Sequence, residues 1–246
     1  MNPTSTHFVR RLRERDSEAW FELWENFGPI LRAQLQRWGA GRIGWETAQD
    51  LSQETLTALA SAIDRHDPSK GARFSTWLFS IARYTLGDEI DRRMAQKRGE
   101  GSKPVALDAA AETADGGLSP DGAYEEQIFD AKIQAALRAV ERQAGLADFE
   151  VFRQRVLEGR SGSEVAEDLG LSVSAVSRCL TKVREQLWIH LGSVFSRYSF
   201  TPEEDHELER NGLTWNPNKE LNPTFDQALA DIYARLTHRQ DPSPIP

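Results

Sequence analysis

Apolar residues recur at three- and four-residue intervals along most of this chain, and no stretch alternates as a strand would. The pattern predicts an all-α fold. Asp16 reads as an N-cap, and Trp20, Leu23, Trp24 and Phe27 follow on one helical face. Gly28-Pro29 is expected to kink or break that helix before Ile30, Leu31, Leu35 and Trp38 resume the stripe. Gly39-Ala40-Gly41 ends it. A second helix is expected over 46–63, burying Ala48, Leu51, Thr55, Leu59 and Ala62. Residues 67–71, Asp-Pro-Ser-Lys-Gly, read as a turn, because proline presets φ and glycine accepts a positive one. A long helix over 75–98 then places Leu78, Ile81, Ala82, Leu86 and Ile90 together.

Residues 99–122 lose all periodicity and hold glycines, prolines, small residues and acids, the composition of a linker. Helical spacing returns over 124–144 and 149–157. Residues 162–181 then carry a helix-turn-helix pattern, with Val165, Ala166 and Leu169 inward on the first helix and Val176 and Cys179 inward on the second. Small Ala166 permits a close crossing, Gly170 takes the turn, and Ser172 can cap the second helix. That helix projects Ser174, Ala175, Ser177, Arg178, Thr181 and Lys182 outward, with small or hydrogen-bonding groups first and cations later, as entry into a major groove requires. A helical hairpin with a solvated face would share the spacing. Residues 201–222 read as polar and acidic, 225–236 as a short amphipathic helix, and 241–246 as disordered.

Composition narrows the function classes. The single cysteine excludes an intrachain disulfide and fits a reducing cytoplasm. The five histidines are scattered, with no spacing for a metal site, and neither a phosphate-cradling glycine loop nor a nucleophile elbow occurs. No cofactor is expected, and nothing argues for catalysis. No apolar run reaches the roughly 18–20 residues that cross a bilayer, so no membrane insertion is expected. The net charge of −8 opposes nucleic-acid binding until its distribution is considered. Residues 92–98 are purely basic in their charges, and Arg178, Lys182 and Arg184 have no acid among them. Two local basic surfaces on an acidic chain suit a protein that grips DNA with the help of a partner.

The stretches Asp50-Leu51-Ser52-Gln53-Glu54-Thr55 and Asp64-Arg65-His66-Asp67-Pro68-Ser69-Lys70-Gly71-Ala72-Arg73-Phe74-Ser75-Thr76-Trp77-Leu78 closely resemble the conserved domain of sigma-70 family sigma factors. The block through Asp88 and Arg92-Arg93 continues the likeness, and the helix-turn-helix is similar to the family's second conserved domain. With no third domain between them, the resemblance points to the extracytoplasmic-function group. It implies an N-terminal sigma domain over 1–98, a linker over 99–122, a second sigma domain over 123–192, and an extension over 193–246.

The resemblance also implies roles. Asp50, Leu51, Gln53 and Glu54 match the helix that docks on core RNA polymerase, where two acids four apart give an acidic face. Arg65, Lys70 and Arg73 would meet phosphates of minus-ten DNA, with Phe74 and Trp77 as stacking surfaces, although Trp77 also suits a core position. Arg83, Tyr84, Asp88, Arg92 and Arg93 would face the promoter on the next helix. Ser172, Ser174, Ala175, Ser177, Arg178, Thr181, Lys182 and Arg184 would read the minus-thirty-five element. Tyr84 stands where the family carries asparagine. Gly87 costs about 1 kcal/mol relative to alanine inside a helix, and Glu89 and Asp91 place acids beside the proposed DNA face. The implied partners are core RNA polymerase, promoter DNA, and an anti-sigma factor or other regulator. Two rivals are a freestanding helix-turn-helix regulator and an adaptor that binds polymerase or an anti-sigma factor. In the extension, Phe225, Leu229, Ile232 and Leu236 form a stripe that needs a docking surface. The acids at 203–209 are expected to be drawn to the cations around 178–184, unless the extension is passive padding.

Overall fold

The helical period carries through to the architecture, which is all-α, with no strand among the described residues. The computed structural model describes residues 3–39, 41–64, 73–98, 122–216 and 222–240. The turn at 67–71, the linker up to residue 121 and the terminal 241–246 lie outside them. The chain divides into two compact units, Met1–Ala131 with Ser196–Glu204, and Lys132–Phe195 with Asp205–Pro246.

The first unit opens with a helix absent from the sequence reading, α1 (Pro3–Arg13), which buries Phe8, Val9 and Leu12. Arg15 takes a left-handed φ of 59°, turning the chain into α2 (Ser17–Gly39). Asp16 caps α2, its Oδ1 accepting from the Glu18 and Ala19 amides at 2.9 and 3.2 Å. Arg11 donates to Asp16 at 2.6 Å and holds that carboxyl below its ordinary pKa.

Of the kink or break expected at Gly28-Pro29, the break is absent, and α2 runs through it as one helix. An interior proline costs roughly 3 kcal/mol. Leu23, Phe27, Leu31 and Leu35, two on each side of it, are all fully buried, and each such side chain contributes about 1.5–3 kcal/mol. Packing therefore outweighs the lost backbone bond. Gly28 serves a close approach instead, since a Cβ there would lie 2.8 Å from the Trp24 ring.

Helices α2, α3 (Trp45–Ala62) and α4 (Phe74–Arg98) pack on one another. Ala48, Leu51, Thr55, Leu59 and Ala62 face inward on α3, as the spacing predicts. Thr55 and Thr85 share a buried 3.0 Å hydrogen bond between α3 and α4.

Ser196–Glu204 completes this core. Tyr198 is fully buried, its ring 5.0, 4.9 and 5.3 Å from those of Phe8, Phe27 and Phe74. Its hydroxyl donates to Glu22 at 3.1 Å and accepts from Asn26 at 3.3 Å. Phe200 packs against Phe74 and Trp77 at 5.3 and 6.0 Å. The buried Glu204 carboxylate accepts from the Phe200, Thr201 and Phe74 amides at 2.7, 3.1 and 3.3 Å.

The second unit takes the later part of α5 (Gly122–Ala144), then α6 (Leu146–Phe152), which passes into a π-helical turn, Arg153–Leu157. Helices α7 (Gly162–Asp168) and α8 (Val173–Tyr198) fall on the stretch whose sequence reads as a helix-turn-helix. Ser161 and Glu164 close a capping box on α7. Gly170 makes the turn at φ 65°, and the Ser172 hydroxyl accepts from the Ala175 amide at 3.1 Å. Val165 and Ala166 on α7 and Val176, Leu180, Val183 and Leu187 on α8 are buried.

The last helix, α9 (Pro223–Gln240), belongs to this core, with Phe225, Leu229 and Ile232 buried and Leu236 half-buried. Trp188 packs against Trp215 and Phe225 at 6.3 and 6.4 Å. Two of the acids at 203–209 have specific donors within their own units. Glu204 is buried in the first unit, and Glu207 pairs at 2.8 Å with the fully buried Lys132 of the second. Low-dielectric surroundings penalise an unpaired charge, so these two acids are held by specific donors rather than by a diffuse field.

Candidate nucleic-acid interface

On α3, Asp50, Gln53 and Glu54 stand exposed at i, i+3 and i+4, one continuous acidic and amide face. Leu51 does not join them. It is buried in the first unit's core, so its expected contact with polymerase is corrected to a packing role.

Of the residues expected at minus-ten DNA, Arg65 and Lys70 lie outside the described residues. Arg73 is partly exposed and donates to Glu125 at 2.9 Å. Phe74 and Trp77 are buried under Phe200 and Tyr198, so the expectation that they offer stacking surfaces is corrected. Arg83 is exposed, its guanidinium 4.7 Å above the Trp38 ring. Tyr84 is half-buried and hydrogen-bonds Asp88, whose carboxyl burial pushes above its ordinary pKa.

Arg92 is exposed and ion-paired with Glu89. Arg93 donates to Glu89 at 2.6 Å, to Thr47 Oγ1 at 2.8 Å and to the Arg42 carbonyl at 3.1 Å. Its role is thus corrected from a DNA contact to a tie between α4 and the start of α3. Nothing in the structure explains Gly87, which faces open space.

At the start of α8 and along it, Ser172, Ser174, Arg178, Thr181 and Lys182 are exposed, and Ala175 and Ser177 are half-buried. Arg184 is corrected outright: it is 5% exposed and bonded to Asp226, so it cannot reach DNA. Lys182 donates to Asp148 at 2.5 Å, and the Cys179 thiol donates to the same carboxylate at 3.2 Å. Asp148 consequently titrates below its ordinary value, while burial raises the half-buried Cys179 thiol above its own.

Sequence reasoning missed these carboxylate partners. Asp148 lies 34 positions from Lys182, Asp226 lies 42 from Arg184, and Glu125 lies 52 from Arg73, so no local spacing could signal them. Val173, which the sequence reading does not single out, is an exposed apolar side chain at the first position of α8.

Residues 23–96 match the family model Sigma-70 region 2. The match covers most of α2, all of α3 and nearly all of α4, the three-helix core of the first unit. The likeness is to that region of sigma-70 proteins and covers less than half of the chain. No curated protein and no solved structure matches the chain. Among the described residues, no helix is long and apolar enough to cross a membrane.

Proposed function

We propose that this chain is a sigma factor of the extracytoplasmic-function type, which binds core RNA polymerase and directs it to promoters. The observation that carries the reading is the Sigma-70 region 2 match, laid over a folded core whose exposed face presents Asp50, Gln53 and Glu54. Residues 1–98 dock on polymerase and open minus-ten DNA, using Arg65, Lys70, Arg73, Arg83 and Arg92 as cations and Tyr84 and Asp88 as polar contacts. Residues 123–192 read the minus-thirty-five element through Ser172, Ser174, Ala175, Ser177, Arg178, Thr181 and Lys182, and residues 99–122 link the two. The extension, 193–246, supplies packing residues that each unit needs. The net charge of −8 keeps free-chain DNA affinity low, and polymerase supplies most of the grip.

The test is a pull-down with core polymerase. Asp50→Lys with Glu54→Lys reverses both charges of the exposed face without touching the core, so helical content stays and association is lost. Capture at the wild-type level removes the docking assignment, and a wild-type chain that never binds polymerase removes the sigma reading itself.

A further inference from the structure

Five cations that the sequence offers to DNA already hold a carboxylate of their own unit: Arg73 with Glu125, Arg92 and Arg93 with Glu89, Lys182 with Asp148 and Arg184 with Asp226. Arg92 and Glu89 are neighbours one turn apart on a single helix. The other four are of two kinds. Arg184 is buried, and Arg93 is tied to two further acceptors, so both serve the fold. Arg73 and Lys182 keep 34% and 56% of their side-chain surface exposed. Their carboxylates, by contrast, are each fixed by a second donor. Ser75 Oγ donates to Glu125 at 2.8 Å, and Cys179 Sγ donates to Asp148 at 3.2 Å. Each pair is a held anion facing a cation that can swing away. Each lies inside one unit, Arg73–Glu125 in the first and Lys182–Asp148 in the second.

We propose that Glu125 and Asp148 are built-in phosphate mimics, which occupy Arg73 and Lys182 in the free chain and must be displaced when DNA binds. The proposal rests on the reading above that these surfaces meet promoter DNA, and it adds the way the free chain is kept off DNA. An exposed ion pair holds its partner by a factor of up to about five, enough to weaken binding and too little to forbid it. Displacement also leaves the carboxylate facing solvent beside a phosphate. The wild-type chain therefore gains less from counterion release than its cation count suggests.

The experiment measures binding of the full free chain to two probes, a random-sequence duplex and a single-stranded oligonucleotide. Asp148→Asn tightens duplex binding and Glu125→Gln tightens single-strand binding, each about three- to fivefold at low salt. The plot of log affinity against log salt steepens by about one unit per variant. Adding Lys182→Ala or Arg73→Ala cancels the gain in a double-mutant cycle. Unchanged or weaker binding by variants that melt like the wild type overturns the proposal. If a variant melts early, acylation of Lys182 and phenylglyoxal modification of Arg73 in the unaltered chain take its place. The mimics slow both reactions relative to the urea-unfolded chain, and equal rates overturn the proposal. Polymerase pull-down runs alongside. A holoenzyme that forms while the variants bind DNA as the wild type does sinks the mimics alone, whereas tightened DNA binding without any holoenzyme removes the sigma reading and keeps them.

Discussion

Arg184 grips Asp226 with two nitrogens, Nε at 2.9 Å from one carboxylate oxygen and Nη2 at 2.5 Å from the other. A bidentate pair with a nearly buried guanidinium fixes orientation as well as charge, and here it fastens α9 to the middle of α8. Asp226→Ala should destabilise the second unit by about 3 kcal/mol, because it strands a buried cation. Arg184→Met together with Asp226→Leu should cost much less, since neither charge then remains to be solvated. Urea unfolding of both variants checks the order, and a double variant as unstable as the single one contradicts it.

Phe200 makes the corresponding prediction for the first unit. Its ring packs on Phe74 and Trp77, so Phe200→Ala leaves a cavity and should cost roughly 3–5 kcal/mol. Removing everything after Gly192 takes away Tyr198, Phe200 and Glu204 at once. That chain should lose its cooperative melt and its near-ultraviolet circular dichroism. A truncated chain that melts like the full one would show that this segment is dispensable to the core.

Glu150 gives a dependence on pH. Hydrogen bonds first from Arg153 and then from Gln154 hold its carboxyl down to about 2, against an ordinary 4.5. The depressed value means that the charged form favours the folded state. Its contribution is complete above about pH 4.5 and is lost as the pH falls toward 2. The group is a third exposed, so solvent screens the effect and the gain is modest. Glu150→Gln should lower the melting temperature at pH 6, and the gap from wild type should close as the pH approaches 2. A gap that stays constant from pH 6 to pH 2 would remove this pair from the acid response.

Arg178 and Arg184 are six positions apart in sequence and should behave oppositely. Arg178 is exposed on the proposed reading helix, so Arg178→Ala should weaken duplex binding while leaving stability alone. A phosphate contact shows as a salt slope reduced by about one unit, and a base contact as a loss of ~1–3 kcal/mol confined to one position of the site. Arg184→Ala should instead lower stability. If Arg178→Ala leaves minus-thirty-five-dependent transcription intact, α8 does not read DNA.

How far the sequence could be read follows from how local each determinant is. The inward positions of α3 and the glycine turn at Gly170 are set within a few residues and appear as expected, while on α4 and α8 the expected Ile90 and Cys179 are only half-buried. The break expected at Pro29 is absent because the four buried leucine and phenylalanine side chains of α2 answer to partners elsewhere in the first unit. Helix α1 escaped notice because Phe8, Val9 and Leu12 are a short apolar set among polar neighbours. Tyr198 and Phe200 lay where the periodicity fades, and distant Phe8, Phe27, Phe74 and Trp77 pack on them. For the candidate interface, the sequence located the cations, while the acids that engage Arg73, Lys182 and Arg184 come from far along the chain.

The return of Ser196–Glu204 to the first unit sets a timetable for synthesis. Helix α4 ends at Arg98, yet the ring of Tyr198 that closes over Phe27 and Phe74 is made about 100 residues later. At ~5–20 residues per second, the half-built core waits roughly 5–20 s with its aromatic floor open. Contacts this distant in sequence also form slowly once both ends exist. The nascent chain therefore spends seconds as a sticky intermediate, and its yield in cells should depend on chaperone supply and elongation rate more than a domain of purely local contacts would.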